Sequence, residues 1–289
     1  MDSPSATSNY YALQAVFARR FTKGLSLNAN YTWAHGLSDA ISGSGGGGST
    51  GLIATNPRYD YGNSDVDIRN RFSANWNYKL PFGEKATGGK AMLIKGWEWN
   101  FIIFWQSGNP FAVIDTFTNK NGLTQINLPD VTGQNGDRPD QVPGVSYEAS
   151  GGSIRNWLNF AAFTPQAAGT PGNERNAALY GPHTRRADMS VFKNFSVTER
   201  ISAQFRAEVY NISNTPNFPG PGNSISAWAP GPEHDATHPI SNPTNDPALT
   251  AVGLLPGDTP TSAGGFGVIS STTPNVNPRQ FQFAMKLLF

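Results

Sequence analysis

Leu25–Trp33 reads LSLNANYTW: Leu25, Leu27, Ala29, Tyr31 and Trp33 are apolar, while Ser26, Asn28, Asn30 and Thr32 between them are polar. Side chains of an extended strand point alternately to its two faces, so this segment carries one apolar and one polar surface. Phe72, Ala74, Trp76, Tyr78 and Leu80 alternate with Ser73, Asn75, Asn77 and Lys79 in the same way. Ile201, Ala203, Phe205, Ala207 and Val209 repeat the pattern, and so do Phe281, Phe283, Met285, Leu287 and Phe289. Weaker alternation marks Tyr11 to Phe17, Trp97 to Trp105 (where Ile102 and Phe104 make the second face partly apolar) and 187–195. The expected strands are 10–21, 25–33, 69–80, 96–105, 187–195, 200–211 and 279–289.

The links between them alternate in length. Thr22-Lys23-Gly24, Pro81 to Lys95 and Ser196 to Glu199 are short, whereas 34–68, 106–186 and 212–278 are very long. Compact soluble domains rarely hold structureless connections beyond roughly 12–15 residues. Barrels of bacterial outer membranes combine short inner turns with long outer loops, and cross the bilayer with strands of about 9–11 residues. The fold expected is all-β: an antiparallel transmembrane barrel segment of about seven to eight meandering strands. A secreted or surface all-β binding or adhesion protein is the alternative.

Composition agrees. Charged residues make up 14% of the 289, against roughly 25% in ordinary soluble domains. A net charge of +1 gives no electrostatic basis for nucleic-acid binding. With no cysteine, disulfide scaffolds and thiol chemistry are excluded. Gly (31) and Pro (22) collect mainly in the long connections, among them the low-complexity run Gly43–Ser49 and the Pro-, Asn-, Ser- and Thr-rich stretch 216–262, expected to be an exposed, poorly regular excursion. The start, Met1-Asp2-Ser3-Pro4-Ser5, does not read as a signal peptide. Seven strands fall short of the eight of the smallest closed barrels, and an open sheet leaves edge amides unsatisfied in lipid. Together with the odd strand count, this makes the whole of 1–289 a C-terminal barrel portion, with Gly267–Ser271 an extension above the membrane.

Six stretches, in this order, carry a resemblance: NYYALQAVFARRFTKGLSLNANYTW (9–33), WNYKLPFG (76–83), GWEWNFIIFWQSGNPF (96–111), YGPHTRRADMSVFKNF (180–195), RAEVYNISNTPNF (206–218) and FGVISS with PRQFQFAMKLLF (266–271 and 278–289). The chain resembles the C-terminal barrel part of TonB-dependent outer-membrane receptors, in the Oar-like branch. The resemblance implies a barrel of about 22 strands, of which this chain supplies a third. It implies energised solute uptake by the complete receptor, which contacts the TonB system only through plug and N-terminal parts that this sequence lacks. The terminal pattern Phe281, Phe283, Met285, Leu287 and Phe289 is similar to the signal read by the barrel-assembly machinery.

Candidate residues follow from the same reading. Trp33, Tyr78, Trp97, Trp99 and Trp105 lie near strand ends and suit aromatic girdles at the headgroup levels. Lys79, Glu98, Arg206, Glu208 and Lys286 belong on the polar face, paired or facing water. Trp157 and Trp228 lie in connections and suit sugar stacking. His234 and His238 stand four apart but among prolines, which argues against a metal-binding helix; Asp60, Asp65 and Asp67 precede a strand and read as solvated rather than as Ca²⁺ ligands. His35 and His183 read as interfacial polar residues. No nucleophile elbow or carboxylate pair stands out, and neither enzyme chemistry nor a cofactor is expected.

Overall fold

The computed structural model describes residues 7–39, 56–83, 85, 87–115, 138–165, 171–196, 198, 201–226, 228–229, 259–273 and 278–289. Seven long strands form one sheet: β1 (Ser8–Thr22), β2 (Leu25–Ser38), β3 (Asn70–Lys79), β4 (Trp97–Gln106), β5 (Thr184–Ser196), β6 (Ser202–Tyr210) and β7 (Gln280–Leu288). Each pairs antiparallel with the next in sequence order, a plain meander. A two-residue strand, Gly62–Asn63, adds to the far end of β2. No ladder joins β1 to β7, so the sheet is open.

The register makes the alternation collective. Leu27, Trp76, Phe101, Met189, Val209 and Phe281 lie side by side across six strands. One residue further along, Ser26, Asn77, Asn100, Ser190, Glu208 and Gln282 form the adjacent row on the opposite face. A slip of one residue in any pair would carry a whole strand's apolar set to the wrong face. On the apolar face Trp76 stacks on Phe101 at 4.6 Å and meets Trp99 edge-on at 5.7 Å. On the polar face the Asn77 amide donates to Asn100 Oδ1, and the Gln204 amide to Asn194 Oδ1.

The short turns lie at one end. Lys23 and Gly24 both take positive φ (51° and 81°), the hairpin geometry that follows strand twist. A Cβ on Gly24 would stand 2.6 Å from the Lys79 carbonyl oxygen, so both conformation and space require glycine there. The link from β3 to β4 contains one short helix, α1 (Gly89–Ile94), which the sequence reading treats as plain turn. Its exposed Met92, Leu93 and Ile94 show no helical alternation to betray it.

The sheet does not hold the hydrophobic core. Among the described residues, the buried apolar side chains in the seven strands are Ala34 and Ala74 alone. Val113, Leu158, Phe163, Leu179, Ile225 and Phe266, all from the long connections, pack into a core with Phe160 and Tyr147 beside it. These connections are therefore a folded cap over one end of the sheet. Short ladders build it: Pro110–Phe111 with Leu179–Tyr180, Asp140–Gln141 with Phe163–Thr164, and the parallel pair Ile114–Asp115 with Ser224–Ile225. The sequence predicts an exposed, poorly regular excursion over 216–262, yet Ile225 is fully buried and Trp228–Ala229 pairs with Thr259–Pro260. Gly267–Ser271 belongs to this cap: the Trp157 amide donates to the Gly267 carbonyl at 2.9 Å. Gly43–Ser49, His234 and His238 lie outside the described residues.

Candidate functional site

Three places combine chemistry with position: the apolar belt, the junction between sheet and cap, and a cleft within the cap. In the belt, Trp33 and Trp105 sit at the cap end, opposite Leu13 and Phe72. Tyr78, Trp97 and Trp99 sit at the short-turn end, with Tyr78 directly across from Trp99. The five aromatics thus fall at two levels, separated by the row Ala29, Ala74 and Ile103. Phe281, Phe283, Met285 and Leu287 extend the belt along β7, each 61% exposed or more, and Phe289 is wholly exposed beyond it.

One belt residue escaped the sequence reading. Lys193 lies on the apolar face, opposite Trp97 and Phe205. Its ammonium donates to the Lys95 carbonyl, 5.5 Å from the Trp97 ring centroid and 5.0 Å from that of Phe195. A long cationic side chain can cover apolar surface with its stem and deliver its charge to the boundary. The polar residue breaking the Met189, Val191 alternation was its only signal.

The polar face holds the expected charges. Lys79 lies 4.0 Å from Glu98, Arg206 donates to Gln204 and covers the Phe192 ring, and the Tyr210 hydroxyl donates to Glu208. Lys286 is exposed.

At the junction, Asp67 is fully buried and accepts from three groups: the Gly36 amide (2.8 Å), Arg69 (3.0 Å) and the Tyr180 hydroxyl (2.6 Å). His35 Nδ1 stands 3.5 Å from its other side. Asp60, also buried, accepts from Arg138 at 3.1 Å, while the same guanidinium donates to the Tyr59 carbonyl and covers the Tyr59 ring. Asp60 and Asp67 are therefore neither solvated, as the sequence suggested, nor arranged around a cation; only Asp65 is exposed. Buried carboxylates need such partners: Asp67 has its cation two residues away in Arg69, whereas that of Asp60, Arg138, comes from 78 residues along the chain. No cluster of potential metal ligands occurs among the described residues, and His183 is exposed.

Beside Arg138 lies Glu174, 1% exposed. Burial pushes its pKa up to about 8, against the opposing pull of the Arg138 charge and the Val113 amide. Burial likewise raises the Tyr147 and Tyr180 phenols, Tyr180 also through its bond to Asp67.

The cleft, about 240 Å³, lies between the hairpin Glu148–Ser153/Asn156–Leu158 and the strand Leu179–Tyr180. Trp157 forms one wall, its indole N–H donating to the Tyr180 carbonyl at 3.3 Å. The side chain of Trp228 lies outside the described residues.

A meander with one continuous apolar face, exposed on β1, β2 and β7 and half-buried on the strands between, two aromatic levels and, among the described residues, a packed core confined to a terminal cap is the wall of a membrane-spanning β-barrel. Soluble proteins rarely expose apolar patches of this extent, whereas lipid requires them. The chain belongs to the outer membrane beta barrel domain family, whose model matches residues 1–282. The strands are transmembrane strands and the location is the outer membrane. No curated protein and no solved structure matches the chain.

Proposed function

We propose that the chain is part of the wall and outer cap of a TonB-dependent receptor of the Oar-like branch, taking up a solute across the outer membrane. The observation that carries this reading is the cap. A passive pore needs only a wall, whereas this protein folds its long connections into a cored body with a preformed cleft over one end of the strands. In this reading, further strands complete the ladder at the open edges of β1 and β7, since unpaired amides and carbonyls cannot face hydrocarbon. Its partners are the bilayer, the barrel-assembly machinery at β7 and, through other parts of the receptor, the TonB system. The role is binding and transport rather than enzyme chemistry.

The test compares host cells lacking this protein with cells lacking TonB, using labelled ferric chelates, cobalamin and neutral oligosaccharides. The reading expects one solute whose energised uptake is lost in both strains. Uptake that needs this protein but survives loss of TonB would contradict it.

A further inference from the structure

We propose that the cap cleft binds a neutral saccharide, with Trp157 as the stacking platform for one sugar ring. The plane of Trp157 is fixed before any ligand arrives. Its indole N–H is held by the Tyr180 carbonyl and its backbone amide by Gly267. The cleft's apolar base, Leu158 and Leu179, is buried. A ring held in this way offers a flat apolar surface to the C–H face of a pyranose without further ordering cost.

The polar groups around it suit hydroxyls. Gln141 contributes an amide that both donates and accepts, and Ser146 and Glu148 stand exposed at the mouth. A carboxylate and an amide can each engage adjacent sugar hydroxyls, the oxygen accepting from one while the amide N–H donates to the other. Tyr147 adds a phenol that burial keeps in its neutral, donating form.

Charge narrows the ligand class. Among the described residues no Lys, Arg or His lines the cleft and Glu148 is its one carboxylate, so an anionic ligand such as a phosphate or uronate meets no basic side chain in the lining. At about 240 Å³ the space lies below the roughly 300–1,000 Å³ of drug-sized sites, which suits one terminal ring with the rest of the chain outside. As a capture step for transport this site rests on the uptake reading; as a binding site it does not.

The test is calorimetric titration of the full chain, refolded in detergent, with cellotriose, maltotriose and xylotriose up to about 10 mM. Trigalacturonic acid and tetramethylammonium are the charged comparisons. At least one neutral trisaccharide should bind saturably, and Trp157→Ala should weaken it at least tenfold with circular dichroism unchanged. Glu148→Gln, at an exposed position that cannot unfold the cap, should weaken it several-fold. Silence with all three sugars, equal binding by both variants, or tighter binding of either charged probe would overturn the site. Sugar binding without sugar uptake by cells would leave the cleft standing and count against the transport reading alone.

Discussion

The Tyr180 hydroxyl donates to Asp67 over 2.6 Å, joining two connections whose residues lie 113 apart in sequence. Through that contact the cap is fastened to the end of β2, because Asp67 also accepts from the Gly36 amide. The Tyr180 carbonyl meanwhile holds Trp157, so one residue links the sheet, the clasp and the cleft. Asp67→Ala removes the acceptor for three donors and should destabilise the cap by about 2–4 kcal/mol. Tyr180→Phe removes one bond and should cost about 1 kcal/mol. Hydrogen exchange at the Gly36 amide reports both: it should accelerate strongly in Asp67→Ala and slightly in Tyr180→Phe. Equal protection in all three proteins would remove the clasp from the account.

Glu174 makes cap stability depend on pH, with a definite sign. In the unfolded chain its carboxyl titrates near 4.5, and in the folded cap near 8. Below 4.5 both states hold the proton and there is no effect. From 4.5 to 8 the unfolded chain releases it while the cap retains it, so stability falls as pH rises; above 8 the penalty is complete, of order 3–5 kcal/mol. Limited proteolysis should therefore cut the cap faster at pH 9 than at pH 5, and Glu174→Gln should abolish that difference. A wild-type cap equally resistant at both values would refute the assignment.

Two neighbouring isoleucines on β4 separate the faces. Ile103 lies in the belt beside Ala74 and Ala187, and Ile102 lies on the polar face beside Asn75 and Asp188. Arginine at the bilayer midplane costs about 2–4 kcal/mol on a lipid-facing position and far less toward water. Ile103→Arg should sharply reduce the yield of heat-modifiable, folded protein from detergent, whereas Ile102→Arg should fold nearly as well as wild type. Similar yields would contradict the assignment of faces.

Phe289 is fully exposed at the end of an edge strand whose apolar side chains are exposed as well. An unpaired strand with a terminal aromatic can add to another open edge. Deleting Phe289 should lower the amount assembled in the outer membrane without altering expression, as membrane fractionation would show. Unchanged assembly would remove the terminal-signal role.

The strands were legible because the alternation is local and survives burial on either side: Leu25 to Trp33 displays its two faces without reference to any partner. The cap was not, because its order depends on contacts between segments far apart, such as Phe163 with Phe266. Phe266 alone among glycines offers no period to read. Asp60 and Asp67 looked solvated for the same reason, since the Arg138 and Tyr180 that enclose them come from a different connection. Trp157 was recognisable as an aromatic outside the strands, but its carbonyl clamp and the cleft beside it required the fold.

The absence of cysteine allows single labels to be placed cleanly along β4. Nitroxides at positions 100, 101, 102 and 103 of the full chain, reconstituted in phospholipid vesicles, measure the central claim by collision with dissolved oxygen and with an aqueous nickel chelate. The belt predicts oxygen-rich, nickel-poor environments at Phe101 and Ile103 and the reverse at Asn100 and Ile102, a period of two. Four labels equally open to the nickel chelate would show that the apolar face does not sit in lipid.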